Sequence, residues 1–179
     1  MSLKASMNSK RLFLLVAAIF IGIIALPFNS VFADDEAACQ LSHPLLEQMP
    51  VGEVTIHDGE KTLTRKSRIA ANAQFRAQGF QNICDETIHA MPILFVFDNP
   101  VMPSFHMRNV KADLDIAFID ADGKAESLQT MHQYKPNQRP KYYAPRRPIV
   151  LAWEVHAGFF AEQGISLDAR FSWQEISVE

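Results

Sequence analysis

Histidine and methionine side chains recur through the middle of the chain and could together bind a soft metal ion. The candidate ligands are His89, His106, Met107 and His132. Imidazole and thioether groups suit copper in an oxidising compartment. Methionine beside phenylalanine more often fills a hydrophobic core, however. A copper-binding protein is therefore an alternative hypothesis.

Carboxylates form the second group of residues with possible chemistry. Asp113, Asp115, Asp120 and Asp122 bracket one predicted strand, and Glu154 lies in another. Two carboxylates held close together acquire different pKa values and can share acid–base work, as in glycosidases. Aspartates in a turn more commonly hydrogen-bond their own backbone. A carboxylate-based hydrolase is a further alternative.

Motifs for nucleophilic, phosphate and dinucleotide chemistry are missing from the sequence. It has no Gly-x-Ser-x-Gly, no His-Glu-x-x-His, no phosphate loop and no Rossmann glycine pattern. Ser104 and His106 are two residues apart, which in a strand places them on one face without making a triad. The sequence therefore favours a non-enzymatic binding protein with no catalytic residue and no cofactor.

A basic, tyrosine-rich loop is the leading candidate for ligand binding. Residues 133–148 contain four prolines, five basic residues, all three tyrosines of the protein and no acid. Proline limits the entropy that a loop loses on binding, and tyrosine with arginine suits sugar-like surfaces and carboxylates. The alternative is a solvated loop whose cations neutralise acids of their own domain.

The predicted binding surface combines this loop with five residues that precede it in the sequence, between positions 105 and 115. In this hypothesis the arginines bind carboxylates and the tyrosines stack, while Asn109 and Asp115 fix a strand edge or merely cap its backbone. The surface comprises Phe105, His106, Arg108, Asn109, Asp115, Arg139, Tyr142, Tyr143, Arg146 and Arg147.

The N-terminus indicates export. Lys4, Lys10 and Arg11 precede an uninterrupted apolar run at residues 12–26, and Ala33 suits signal-peptidase cleavage. The sequence predicts a signal peptide at 1–33, an N-terminal arm at 34–50 and a single domain at 51–179 in the periplasm. The alternative is an uncleaved segment that tethers the protein to the inner membrane. The expected partner is an envelope component, either an anionic glycan or a protein.

Cysteine and charge content agree with an exported domain. Cys39 and Cys84 are an even pair without metal-type spacing, so a disulfide is the leading interpretation and two free thiols are the alternative. Residues 34–179 carry 14 basic and 20 acidic side chains, a formal net charge of −6. Such a domain is a poor candidate for nucleic-acid binding.

Hydrophobic patterning predicts the elements that would position these residues. Alternating and continuous apolar runs indicate strands at 51–57, 61–69, 93–97, 114–119, 124–131, 148–155 and 168–176. Asp58-Gly59 and residues 120–123 are typical of hairpin turns. Helix formers indicate two short helices, at 70–78 and 156–163. The predicted fold is α+β and β-rich, with a mostly antiparallel sheet or a partly closed barrel.

The central segment resembles the family called domain of unknown function 192. A Leu-Phe-x-Phe strand is followed by Phe-x-Met-basic-Asn and by Leu-Asp-x-x-Phe-Ile-Asp. The matching positions are Leu94, Phe95, Phe97, Phe105, Met107, Asn109, Leu114, Asp115, Phe118, Ile119, Asp120 and Gly123. The resemblance covers about residues 60–173 and implies a compact β-rich fold, without an established reaction or cofactor.

Three departures from the family pattern fall in this segment, one of which is Lys111-Ala112-Asp113 in place of an apolar-proline entry to the strand. His106 stands where the family usually has tryptophan, and Arg108 where it has lysine. A stacking role at the tryptophan position therefore does not carry over unchanged, and His106 beside Met107 favours a polar-contact or ligand role.

Overall fold

A computed structural model of the chain describes residues 39–135 and 137–176. The signal peptide expected at 1–33 and the first part of the expected arm lie outside the described residues. Within the described ranges, none of the helices combines the length and the apolar character that a membrane crossing needs.

Strands dominate the described chain, and four short helices accompany them. The helices are α1 (Pro44–Gln48), α2 (Ala73–Gln78), α3 (Asp85–Ala90) and α4 (Phe159–Glu162). The strands are β1 (Val51–Asp58), β2 (Lys61–Ala70), β3 (Ile93–Val101), β4 (Phe105–His106), β5 (Leu114–Ile119), β6 (Ala125–Met131), β7 (Tyr142–Tyr143), β8 (Ile149–His156) and β9 (Arg170–Glu175).

The expected number of two helices was wrong. Helix α3 follows Cys84, which caps it without a side-chain hydrogen bond, and it contains the weak helix formers Thr87, Ile88 and His89. Burial of Ile88 stabilises this helix more than its local sequence does. Helix α4 is shorter than the expected 156–163, because β8 continues to His156 before the chain turns.

Seven strands form one sheet in the order β6-β5-β8-β3-β2-β1-β9, and β4 pairs with β7 in a separate two-stranded sheet. All neighbours in the large sheet are antiparallel except β2 and β3. Helices α2 and α3 lie in the connection between these two parallel strands, as a crossover requires. The prediction of a mostly antiparallel sheet is confirmed.

Each face of the large sheet has its own hydrophobic core. On β8, Leu151, Trp153 and Val155 belong to the core that contains α4. Ala152, between them, belongs to the core that α1, α2 and α3 help to cover. Because side chains alternate along a strand, Glu154 is placed on the same face as Ala152.

The large sheet is open and does not form the partly closed barrel that was the alternative prediction. The outer strands β6 and β9 are not paired along their length, and the sheet stays open. A single antiparallel bridge joins Lys124, just before β6, to Arg170. At this point Gly123 has φ of 76°, and a Cβ there would lie 2.6 Å from the carbonyl oxygen of Phe171.

A disulfide joins Cys39 to Cys84, across 45 residues of sequence. The backbone beside it is paired as well, since Gln40 N–H donates to Asn82 O and Cys84 N–H donates to Gln40 O. The disulfide prediction is confirmed, and the bridge holds the segment before α1 against the start of α3.

Candidate ligand-binding site

The small sheet brings the basic loop against the segment that precedes β5. In it, Phe105 pairs with Tyr143 and His106 pairs with Tyr142. The His106 and Tyr142 rings meet edge to face at 6.4 Å between centroids. Residues 36 and 38 positions apart in sequence are therefore neighbours in this small sheet.

A pocket of about 170 Å³, which we call the loop pocket, opens between these two segments. Among the described residues no acid lines it, while both His106 and His132 do. Its permanent cations are Arg108, Lys135, Arg139 and Lys141. With three tyrosines in the same lining, the pocket offers positive charge beside aromatic surface.

The base of the loop is fixed by a hydrogen-bonded group around Asp113. Its carboxylate accepts a hydrogen bond from the backbone N–H of Gln133 at 2.6 Å and lies 2.9 Å from His132 Nδ1. Burial alone would raise the pKa of Asp113, but the hydrogen bonds of His132 and Gln133 and the charge of Lys135 hold it below its usual value. Asp113 is therefore an anchor for the loop.

The two tyrosines of β7 have different environments. Tyr143 is 3% exposed, and its hydroxyl oxygen accepts a hydrogen bond from the His132 N–H at 2.9 Å. Lys141 Nζ lies 4.6 Å from the centre of the Tyr143 ring. Tyr142 is 59% exposed and so is available to stack on a ligand. Tyr143 mainly supports the pocket.

Five residues of the predicted surface lie outside the lining of the loop pocket, namely Asn109, Asp115, Arg146, Arg147 and also Phe105, which lines a second pocket. Arg146 and Arg147 are exposed, and the Arg146 N–H donates to Glu126. Asn109 has φ of 62°, and its side-chain amide donates to Gln81 at 3.3 Å. Asp115 is 4% exposed and accepts a hydrogen bond from the Thr130 hydroxyl at 2.8 Å.

Phe105 lines a second pocket, of about 270 Å³, which we call the Glu154 pocket. The Phe105 ring meets Phe95 edge to face at 5.1 Å, and Phe97 also lines the cavity. His106 lines both pockets, so β4 lies between them. The expected surface residue Phe105 thus contributes to a hydrophobic wall.

Glu154 is the acidic side chain in this second pocket. It is 6% exposed and sits in β8 opposite Ile93 and Ile116 of the flanking strands. Burial raises the pKa of its carboxyl group to about 8. In the part of the chain that the structure describes, no hydrogen bond reaches this carboxyl group. A buried acid of this kind in a cavity is a candidate for ligand recognition.

Helix α2 supplies the opposite rim of the Glu154 pocket. Arg76 donates from Nη1 to the carbonyl oxygens of Ala71 and Val96, and its guanidinium lies over the Phe97 ring at 5.2 Å. Gly79 ends the helix with φ of 46°. A Cβ there would lie 4.0 Å from Glu154 Oε2, which places the end of the helix beside the carboxyl group.

The metal-ligand candidates are only partly brought together. His106, Met107 and His132 line the loop pocket, whereas His89 stacks on His156 at 4.3 Å, away from that lining. Within the described ranges, no group of three or more His, Cys, Asp or Glu side chains could hold a metal ion.

The carboxylate candidates have separate partners. Asp120 accepts hydrogen bonds from the N–H groups of Asp122 and Lys124, as expected for an aspartate in a turn. Asp113 binds the base of the loop and Asp115 binds Thr130. Glu154 lies in a pocket whose lining contains none of these aspartates.

Sequence reasoning gave too little weight to Glu154, Arg76, Lys135 and Lys141. Glu154 was visible as an acid inside the apolar run of β8, a position where an ionisable group needs an explanation. Arg76 could not be placed near it from sequence, since 78 residues separate them. Lys135 and Lys141 lie within the predicted loop, as Arg146 and Arg147 do. Only the fold of the loop decides which of these four cations line the pocket.

The sequence model of the family DUF192, described as uncharacterised ACR, matches residues 54–173. The chain is a member of the DUF192 family. The match contains both pockets and every strand from β3 to β8. Among curated proteins, none has a sequence that matches this chain significantly.

Solved structures share the fold of this DUF192 protein. A protein of unknown function from Novosphingobium aromaticivorans DSM 12444 has a TM-score of 0.62 and 23% identity, covering 77% of this chain and 95% of that one. A protein described as a candidate transcription regulator from Sinorhizobium meliloti 1021 has a TM-score of 0.60 and 20% identity, covering 70% and 95%. At these identities the likeness concerns the fold alone.

Proposed function

We propose that this DUF192 protein is exported and binds an anionic glycan of the cell envelope in the loop pocket, without catalysing a reaction. The observation that carries the proposal is the set of four permanent cations around one concavity that no described acid lines. Carboxylated sugars combine an anionic group with a flat apolar face, which arginine and tyrosine can bind together.

Charge supports an anionic ligand. The domain after residue 33 has a formal net charge of −6, yet the described residues that line the loop pocket are all cationic or neutral. The cations of the loop pocket attract an anion to that site. The net negative charge of the rest of the domain disfavours non-specific binding to nucleic acid.

The anchored loop supports binding in a second way. Asp113, His132 and Tyr143 fix the start of the loop to β7 through hydrogen bonds. A site whose side chains are held before the ligand arrives loses less conformational entropy on binding. The exposed Tyr142 then offers a ring at the edge of the pocket.

Export to the periplasm supports an envelope ligand. The basic and apolar N-terminal segment has the pattern of a signal peptide, and the Cys39–Cys84 disulfide suits an oxidising compartment. A glycan or an acidic protein surface would both be available there.

Two arginine pairs give a matched test of the loop pocket. Arg108→Ala with Arg139→Ala removes two lining cations, and Arg146→Ala with Arg147→Ala removes the same charge outside the lining. With a tetragalacturonate probe, we expect the first pair to weaken binding at least about tenfold, because two charge-assisted hydrogen bonds are lost. The second pair should change affinity by less than about twofold.

Isothermal titration calorimetry measures both affinities, with neutral maltotetraose as the ligand control. Equal weakening by the two pairs would reduce the effect to net charge and refute the loop pocket. Binding of maltotetraose as strong as that of tetragalacturonate would also contradict an anion site. Thermal stabilisation by copper(I) and by no glycan would instead favour the metal hypothesis.

A further inference from the structure

We infer that the Glu154 pocket is a second binding site, for an uncharged small molecule with a ring-sized apolar body and a carbonyl oxygen that accepts a hydrogen bond from the Glu154 carboxyl group. This site is separate from the loop pocket and does not depend on the function proposed for it. Its basis is a cavity of about 270 Å³ with aromatic walls and one buried, unpartnered acid.

The cavity walls select an apolar body. Phe95, Phe97 and Phe105 line it, and Phe95 is held edge to face against Phe105. Aromatic rings at fixed angles offer edges and faces to a flat ligand, and desolvation of such a ligand supplies much of the affinity. The volume lies near the lower end of the range for small-molecule sites.

The acid selects a hydrogen-bond acceptor. Since burial raises the pKa of Glu154 to about 8, its carboxyl group is mostly protonated at neutral pH and donates an O–H. No described residue accepts that hydrogen bond. A ligand carbonyl oxygen would accept a hydrogen bond from a group that faces the cavity and has no acceptor among the described residues.

The surrounding charges do not favour a cationic ligand. Arg76 lines the pocket and is held there by the carbonyl oxygens of Ala71 and Val96. An ammonium group in the cavity would be repelled by this guanidinium. It would also lose its hydration without gaining an ion pair, because the Glu154 carboxyl group is mostly uncharged at neutral pH. A neutral ligand avoids both costs.

The titratable groups on the neighbouring elements are few. Besides Arg76 on α2, they are His106 on β4, Asp98 on β3, Asp115 on β5, His89, Asp85 and Glu86 on α3 and His156 on β8 itself. His106 lines the cavity, whereas Asp115 bonds to Thr130 and His89 stacks on His156. The Glu154→Gln variant therefore decides whether a pH dependence of binding belongs to Glu154, because it leaves all of these other groups in place.

Benzamide is the probe, titrated into the disulfide-bonded protein by calorimetry at pH 7 and pH 9. We expect binding at pH 7 and about tenfold weaker binding at pH 9, because only the protonated fraction of Glu154 donates. Glu154→Gln keeps an N–H donor of similar shape, so it should bind benzamide with no difference between the two pH values. Toluene, which has no acceptor, should bind weakly at both.

Two variants serve as controls. Asp115→Asn makes the same isosteric change at a buried acid outside this cavity and should keep the tenfold pH effect. Arg108→Ala with Arg139→Ala should also keep it, so that failure here and failure of the loop pocket are separate results. Benzamide that does not bind at pH 7, or an unchanged pH effect in Glu154→Gln, overturns the inference. Benzylamine that binds more tightly than benzamide overturns it too.

Discussion

Glu154 couples folding to pH, because its carboxyl group has a pKa of about 8 in the folded chain against an ordinary value of 4.5. Between these values the native state holds a proton that the unfolded chain has released. The free energy of unfolding therefore falls as pH rises through this range. The contribution is complete below about pH 4.5 and is lost above pH 8.

Glu154→Gln should remove this dependence. Since both proteins share every other titrating group, we expect their difference in unfolding free energy to grow between pH 5 and pH 9, in favour of the variant. The raised pKa of Glu154 corresponds to a difference in unfolding free energy on the order of 3–5 kcal/mol at pH 9. Urea unfolding at pH 5, 7 and 9 measures it, and parallel pH profiles would contradict the assignment.

At the scale of elements, the β5–β6 turn shows what local sequence can specify. Residues 120–123 predict a hairpin, and the carboxylate of Asp120 indeed accepts two backbone hydrogen bonds there. The strands β4 and β7 have two residues each, which is too short for any hydrophobic period. Both pockets depend on where β4 lies, so their position could not be read from the sequence.

Gly123→Ala tests the contact between this turn and β9. The substitution places a Cβ 2.6 Å from the Phe171 carbonyl oxygen, at a φ of 76° that disfavours alanine. We expect a loss of about 1–3 kcal/mol in unfolding free energy. Chemical denaturation measures this loss.

Gly59→Ala is the control, since Gly59 has φ of 60° but no atom within 4 Å of the added Cβ. It should cost only the backbone strain, about 1 kcal/mol. If the two variants lose the same unfolding free energy, β9 moves away from the new methyl group at residue 123 without a measurable cost.

At the scale of the whole molecule, the disulfide attaches a segment that the family match does not include. Cys39 precedes the matched residues 54–173, and Cys84 lies within them. The bridge therefore adds an N-terminal segment, with α1, to the common domain. The stability of that segment depends on a covalent link as well as on the burial of Leu46 and Met49.

Reduction should lower the unfolding free energy of the protein by about 2–4 kcal/mol, because the unfolded chain regains the freedom of a closed loop. Urea unfolding with and without dithiothreitol measures the change. Cys39→Ala with Cys84→Ala should match the reduced protein and respond to dithiothreitol no further. An equal response of the variant would show that the reductant acts elsewhere.

The position of β8 in the sheet has a consequence for the newly made chain. Strand β8 lies between β3 and β5, yet it begins only at Ile149. Until the ribosome has released that residue, the β1–β2 and β5–β6 hairpins can form but have no strand to join them. The two hairpins can therefore belong to one continuous sheet only after β8 has become available to pair with both β3 and β5.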